Sequence, residues 1–379
     1  MESSRFNLTY CANIHPIDSV ETLIKTLDQT TSTVASAFND QLFQLGLWLP
    51  QTALSEALED SSIKKIKDVL EKHHYDIITF NAFPMNKFHG EPVKRKVYLP
   101  DWSSEKRLLY TKQVAELAYK LGAKKTVISS LSGGFKADDN EAKINQYIEH
   151  WIQWVHWAKN YEEKTGFKAQ LALEPEPFNT MEKLSDILEI WSKLEKAIQT
   201  TDLDMTTVNE YLGICLDICH FSVRFNSPLD VYKKLKDKNI PVFKSQLSIS
   251  PRWCTSMGEE NKNAFFDLDE PIYLHQAYAK TPNGEVQEFT DLDEAKKSTI
   301  PATEWRTHFH IPIFLSEKEN TTGAELIEFL NYIKDESRVP ILEVETYSFN
   351  ELRNMYKVDI GVENSIIKEL QWLKKQIQN

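Results

Sequence analysis

Ala169-Gln170-Leu171-Ala172-Leu173-Glu174-Pro175-Glu176-Pro177 is a short apolar run that stops in acid and proline. A helical pattern follows at about Met181–Ile198, and Leu212-Gly213-Ile214-Cys215-Leu216-Asp217 then repeats the form, apolar until a closing carboxylate. Continuous apolar strands belong to sheets covered on both faces, and parallel neighbours need a long crossover, usually a helix. The same unit recurs on either side. Strands are predicted at Phe6–Tyr10, Leu42–Leu49, Asp76–Ala82, Lys125–Ser130, Val242–Ile249 and Pro340–Val344. Helical spacing predicts helices at Leu54–His73, at Ser103–Leu121, through Ile144, Ile148, Trp151 and Val155 to a stop near Gly166, and at Leu229–Lys236. Eight β–α units predict the α/β class and a closed (β/α)₈ TIM barrel, with 1–379 as one domain. The rhythm breaks once, at 251–318, a long insertion between strands seven and eight with strand-like pieces and little helix. Loops this long are usually functional, and this one leaves the catalytic face, so it is expected to close over the mouth like a lid. The competing architecture is an open sheet with 251–318 as a separate domain. A C-terminal helix is expected within 362–379.

Charge and composition exclude other classes. The 56 acidic against 44 basic residues leave a net charge of −12, which argues against a general nucleic-acid binder. No run of about 18 apolar residues is present, so no membrane span is expected. The start lacks an apolar signal-peptide core, and four cysteines make no disulfide scaffold; both fit a reducing cytoplasm. With 11 glycines, none arranged as a dinucleotide or phosphate loop, nucleotide chemistry is not signalled.

In a barrel, chemistry sits where strands end. Four consecutive strands end in Glu174, Asp217, Gln246 and Glu343, all oxygen donors. Neighbouring strands lie about 4.8 Å apart, so these side chains converge, and three buried carboxylates repel unless a cation sits between them. Such a site takes a divalent ion, with Mn²⁺, Mg²⁺ and Co²⁺ suited to the oxygen donors and Zn²⁺ also in range. Glu176 and Glu345 lie two residues further on, share the same faces, and have a claim of their own.

The surrounding polar residues carry two readings each. His220 is a functional imidazole or a hydrogen-bonded structural one. His308-Phe309-His310 places two imidazoles on one side of an extended chain; His310 and His275 belong to the substrate pocket or to the core. His15, beside Pro16 just after strand one, is placed at the mouth as a substrate contact. Glu182 is a helix cap or a substrate contact, and Arg252 and Arg306 bind an anion or balance the carboxylates. Cys215 and Cys219 read as small core residues. Trp151, Trp154 and Trp157 read as core or as the surface of a homo-oligomer.

The constellation resembles the xylose-isomerase-like barrel superfamily of sugar isomerases and epimerases. The resemblance implies that Glu174, Asp217, Gln246 and Glu343 hold the metal, with Gln246 where many members have His and His220 completing an Asp-x-x-His. It also implies that Glu174 and Glu343 exchange the substrate proton and that Arg252 contacts substrate. Leu8-Thr9-Tyr10-Cys11-Ala12-Asn13-Ile14-His15-Pro16, Asn81-Ala82-Phe83-Pro84 with Phe88-His89-Gly90, Val97 to Trp102, Leu173 to Pro177, His308 to Pro312 and Leu342 to Tyr347 together look like the EboE family, described as metabolite traffic proteins. The expected function is a divalent-metal isomerase or epimerase acting on a sugar, cyclitol or polyol-type metabolite. A non-catalytic metabolite carrier and a metal-dependent hydrolase or lyase are the alternatives.

Overall fold

The computed structural model describes residues 5–38, 42–87, 94–271, 273–347, 356 and 360–378. Eight parallel strands form a nearly closed barrel: β1 (Leu8–Tyr10), β2 (Phe43–Trp48), β3 (Tyr75–Asn81), β4 (Lys125–Leu131), β5 (Lys168–Glu174), β6 (Leu212–Asp217), β7 (Val242–Leu247) and, last in the chain, β12 (Ile341–Val344). Each follows its predicted run within about two residues, because every run is apolar or alternating and has a polar or proline stop. The hydrogen-bonded order is β1-β12-β7-β6-β5-β4-β3-β2. Between β1 and β2 the closure is one backbone bridge, Cys11 to Gly46, with Thr9 Oγ1 donating to Gln44 O at 2.9 Å.

The helices end where their caps say. Asn140 accepts the Lys143 N–H at the start of Glu141–Thr165, and Gly166 closes that helix at φ 75°, a left-handed value that suits glycine. Trp151 and Trp154 of this helix are fully buried, so they are core. The single helix expected over Leu54–His73 is two, Gln51–Ala57 and Asp60–Lys72.

The insertion builds its own sheet. β8 (Arg252–Cys254), β9 (Ala277–Lys280), β10 (Val286–Phe289) and β11 (Glu304–Thr307) form an antiparallel layer in the order β10-β9-β11-β8. A nine-residue helix, Gly258–Phe266, interrupts it where little helix was expected. Beyond β11 the chain returns to the barrel, where Ile311 N–H donates to Ile249 O at 2.9 Å, just past the end of β7.

The C-terminal helix Val362–Gln378 docks through a fully buried acid. Glu369 accepts the Ile313 N–H and the Thr346 hydroxyl, each at 3.1 Å. Burial pushes its carboxyl up to about 8, and those two bonds oppose the rise. An unfolded glutamate titrates near 4.3, so between roughly pH 4.3 and 8 the folded chain keeps a proton that the unfolded chain has lost. Stability from this group is therefore complete below the unfolded value and falls as the pH rises through the folded one. Glu369→Gln should flatten that part of the profile and melt above the parent at pH 9. Melting curves from pH 5 to 9 that run parallel for the two proteins would contradict this origin.

Candidate metal centre and active site

β5 and β6 deliver Glu174 and Asp217 to the C-terminal mouth. Asp217 ends its strand and caps the following turn, accepting the His220 N–H at 3.1 Å. That turn swings His220 back over β5, where Nδ1 donates to Pro175 O at 2.8 Å. The bond fixes the tautomer and leaves Nε2 as an acceptor, 3.9 Å from Asp217 Oδ2. Burial keeps this imidazole below its usual range.

The acid from the last strand is Glu345. Ligand atoms of Glu174, Asp217 and Glu345 all lie within 4.8 Å of one another. Asn13, just after β1, and Asn81, at the end of β3, donate to the same Glu345 oxygen, at 2.7 and 2.9 Å. The other oxygen, Oε2, lies 3.4 Å from His310 Nδ1. Sequence reasoning did not single out Asn13 and Asn81, although polar residues closing otherwise apolar strands were the available signal.

Glu343 is elsewhere. It points into the barrel one layer lower and pairs with Lys244 at 2.5 Å, both side chains fully buried. Lys244 also donates to Ser129 at 3.1 Å. Two residues along a strand amount to about 6.6 Å, which separates this layer from the mouth. Glycine is required opposite: a Cβ on Gly46 would lie 1.8 Å from Glu343 Oε1. Gln246 stands in register with Asp217 and with Glu343, and does not line the cavity.

His310 enters from the insertion. Its Nε2 lies 3.0 Å from His308 Nε2 and 3.8 Å from Asp217 Oδ2, and its Nδ1 lies 3.1 Å from Glu345 O. Burial works against its charge, but Asp217 and Glu345 hold its pKa well above the usual range. His308, whose Nδ1 donates to Gln276 at 2.6 Å, is driven well below by burial and by the imidazoles around it. Asp217, His220 and His310 form a second group with metal-ligand spacing, and Glu176, His220 and His308 a third.

A cavity of about 60 Å³ opens above these groups. Glu174, Glu176, His220, His308, His310 and Glu345 make its polar floor, and Phe83, Tyr98, Tyr273, Leu274 and Tyr347 its walls. Burial pushes Glu176 up to about 8, with Tyr98 hydrogen-bonded to it. Tyr273 and Leu274 come from the insertion, and Lys94, across the mouth, pairs with Asp291 of the insertion at 2.5 Å.

The other residues singled out in the sequence do not line this cavity. His275 bridges Glu270 at 2.5 Å and His308 O at 3.0 Å, and stacks on Phe309 at 3.5 Å, which positions the His308–His310 run. His15 faces Tyr10, its Nε2 3.2 Å from the hydroxyl. Glu182 is tied to Arg224 at 3.0 Å and Lys136 at 2.9 Å. Arg252 and Arg306 share Glu304, at 2.7 and 2.8 Å. Long charged side chains near a mouth find partners of their own, which the sequence does not display. Cys215 packs with Val127 and Phe243, whereas Cys219 lies beside His308 and His310. His89 and Gly90 fall outside the described residues.

The carboxylate group fits a divalent cation. Glu174 Oε2 and Asp217 Oδ2 are buried and lack a hydrogen-bond partner. Buried anionic oxygens left unpaired are costly unless a cation meets them.

A family model described as xylose isomerase-like TIM barrel matches residues 35–244, more than half of the chain. The chain belongs to the xylose isomerase-like TIM barrel family. Among solved structures, it resembles a xylose isomerase-like TIM barrel protein from Mycobacterium smegmatis in complex with magnesium, at 12% identity and TM-score 0.56, covering 100% of this chain and 98% of that one. It also resembles the probable 3-DHS dehydratase AsbF from Bacillus anthracis, involved in petrobactin synthesis, at 12% identity and TM-score 0.50, covering 97% and 99%. At such identity the likeness concerns the fold. No curated protein sequence matches the chain. No helix among the described residues is long and apolar enough to cross a membrane.

Proposed function

We propose that this chain is a divalent-metal-dependent isomerase or epimerase acting on a sugar, cyclitol or related polyol. The observation that carries the reading is the convergence of Glu174, Asp217 and Glu345 beneath the cavity, with two of their oxygens lacking a hydrogen bond. Glu174, Asp217 and Glu345 would hold the ion, with His310 beside them. When bound, the ion polarises neighbouring substrate oxygens and lowers the pKa of the adjacent C–H.

The chain's own groups do the rest. Glu174 and Glu345 approach from strands separated by β6 and β7, so one takes the proton and the other returns it on the opposite face. His220, with Nδ1 locked on Pro175, presents Nε2 to a substrate hydroxyl. The aromatic walls exclude water, and the insertion, tied down through Lys94 and Asp291, acts as the lid. A solved protein of this fold in complex with magnesium, and another described as a probable dehydratase, support metal-assisted chemistry on this scaffold. The EboE-like motifs support a place in a biosynthesis and metabolite-traffic pathway.

Protein purified without chelator is expected to carry close to one divalent ion per chain. A screen of sugars and cyclitols in D₂O should find solvent hydrogen entering one carbon, with the exchange lost on chelation and restored by Mn²⁺. A metabolite that binds tightly with no exchange at any metal loading would make the protein a carrier instead.

A further inference from the structure

The barrel's N-terminal end, opposite the candidate metal centre, is hollow. A space of about 440 Å³ opens between the starts of β2, β3, β4, β7 and β12. Val127, Phe243 and Ile341 line it and belong to a small apolar cluster separate from the main core. The rim carries Lys124, Lys125 and Arg338. Three cations around one opening reverse the average character of a chain with net charge −12.

Asp76 and Glu162 act on Lys124 and Lys125 only from a distance. Among the described residues no ion pair reaches Lys124, Lys125 or Arg338, whereas Lys168 nearby is committed to Glu210 at 3.2 Å and Glu162 at 3.7 Å. Partial burial, and then the like charges of Arg338 and Lys168, lower the pKa of Lys125, with Glu162 opposing. An anion between such groups relieves their repulsion.

A second observation is independent of charge. Gln170, 2% exposed, lines the hollow, and its Nε2 donates to Glu210 O at 2.7 Å. Its Oε1 is buried without a hydrogen-bond partner. Buried acceptors are nearly always satisfied, so this one lacks a donor that a bound molecule can bring. Among the described residues lining the hollow the acid is Asp76, held above the usual range by burial, with Lys124 opposing, and it adds a second acceptor.

We propose that the hollow is a second ligand site, for a small amphipathic organic anion. Its apolar body rests on Val127, Phe243 and Ile341, its carboxylate, phosphate or sulfonate head lies between Lys125 and Arg338, and a hydroxyl or N–H donates to Gln170 Oε1. The site is roughly 20 Å from the mouth, the length of a seven-residue strand, and does not depend on the metal reading.

The probe is 8-anilinonaphthalene-1-sulfonate, which combines an aromatic body, an anionic head and one N–H. Fluorescence titration of the full chain should show one saturable site, weakened by inorganic phosphate. Charge reversal of Lys125→Glu with Arg338→Glu should weaken binding at least tenfold, and Gln170→Leu about threefold. Both rim residues are exposed, and melting curves check the fold; if the double variant melts early, Arg338→Gln is the second test and should still weaken binding. Absence of saturable binding in the parent, or unchanged affinity in folded rim variants, overturns the proposal.

Discussion

Glu345→Gln is expected to slow proton exchange at the substrate carbon by about 10²–10⁴-fold, the usual contribution of a positioned general base. Glutamine keeps the size and one oxygen, so Asn13 and Asn81 retain their acceptor. What is lost is the charge and base facing Glu174, Asp217 and His310. Ion binding should weaken but persist on Glu174 and Asp217, so the exchange assay is run at saturating Mn²⁺. Glu343→Gln is the contrasting variant. Its side chain lies below the cavity, so the folded protein should exchange within tenfold of the parent. If Glu343→Gln abolishes exchange and Glu345→Gln spares it, the assignment of the proton-transfer acid is reversed.

The pair beneath the site carries the other large effect. Lys244 and Glu343 are fully buried and 2.5 Å apart. Removing one partner strands a charge inside the barrel, which typically costs about 3–5 kcal/mol. Lys244→Met and Glu343→Leu should each lose stability on that scale in urea unfolding. The double variant should recover most of the loss, because two apolar side chains of similar volume leave no charge to compensate. Losses that simply add in the double variant would show that the two residues are not coupled.

The barrel was legible because its signal is local. Each strand is an apolar or alternating run with a polar stop, and the crossovers show helical spacing, so eight units can be counted without knowing what packs on what. The sheet in 251–318 was less legible: its strands are four residues or fewer and pair across long loops. The sequence pointed to Glu174, Asp217 and His220, which the structure brings to the candidate site. It favoured Glu343 over Glu345, whereas the structure brings Glu345 to the cluster: residues two apart share a face, and only depth along the strand separates them. That depth is set by the register of β12 with β7, a tertiary fact. Lys244 passed unnoticed because a lysine in a strand usually faces water, and its partner lies about 100 residues away. His310 reached the cluster because Ile311 bonds to Ile249, a contact no local pattern announces.

The ladder of β1, the first strand made, is completed by β12, the last. A ribosome adding about 5–20 residues per second needs roughly 10–30 s between Glu174 and Glu345. Through that interval the nascent chain holds one acid of the cluster and then two, without the third, and β1, and β7 once made, keep edges that β12 will later cover. Such edges invite pairing with other chains. Completing the carboxylate cluster is therefore an act of the finished polypeptide. Ion supply during synthesis has nothing whole to load, whereas a chaperone that shields strand edges acts at the vulnerable moment.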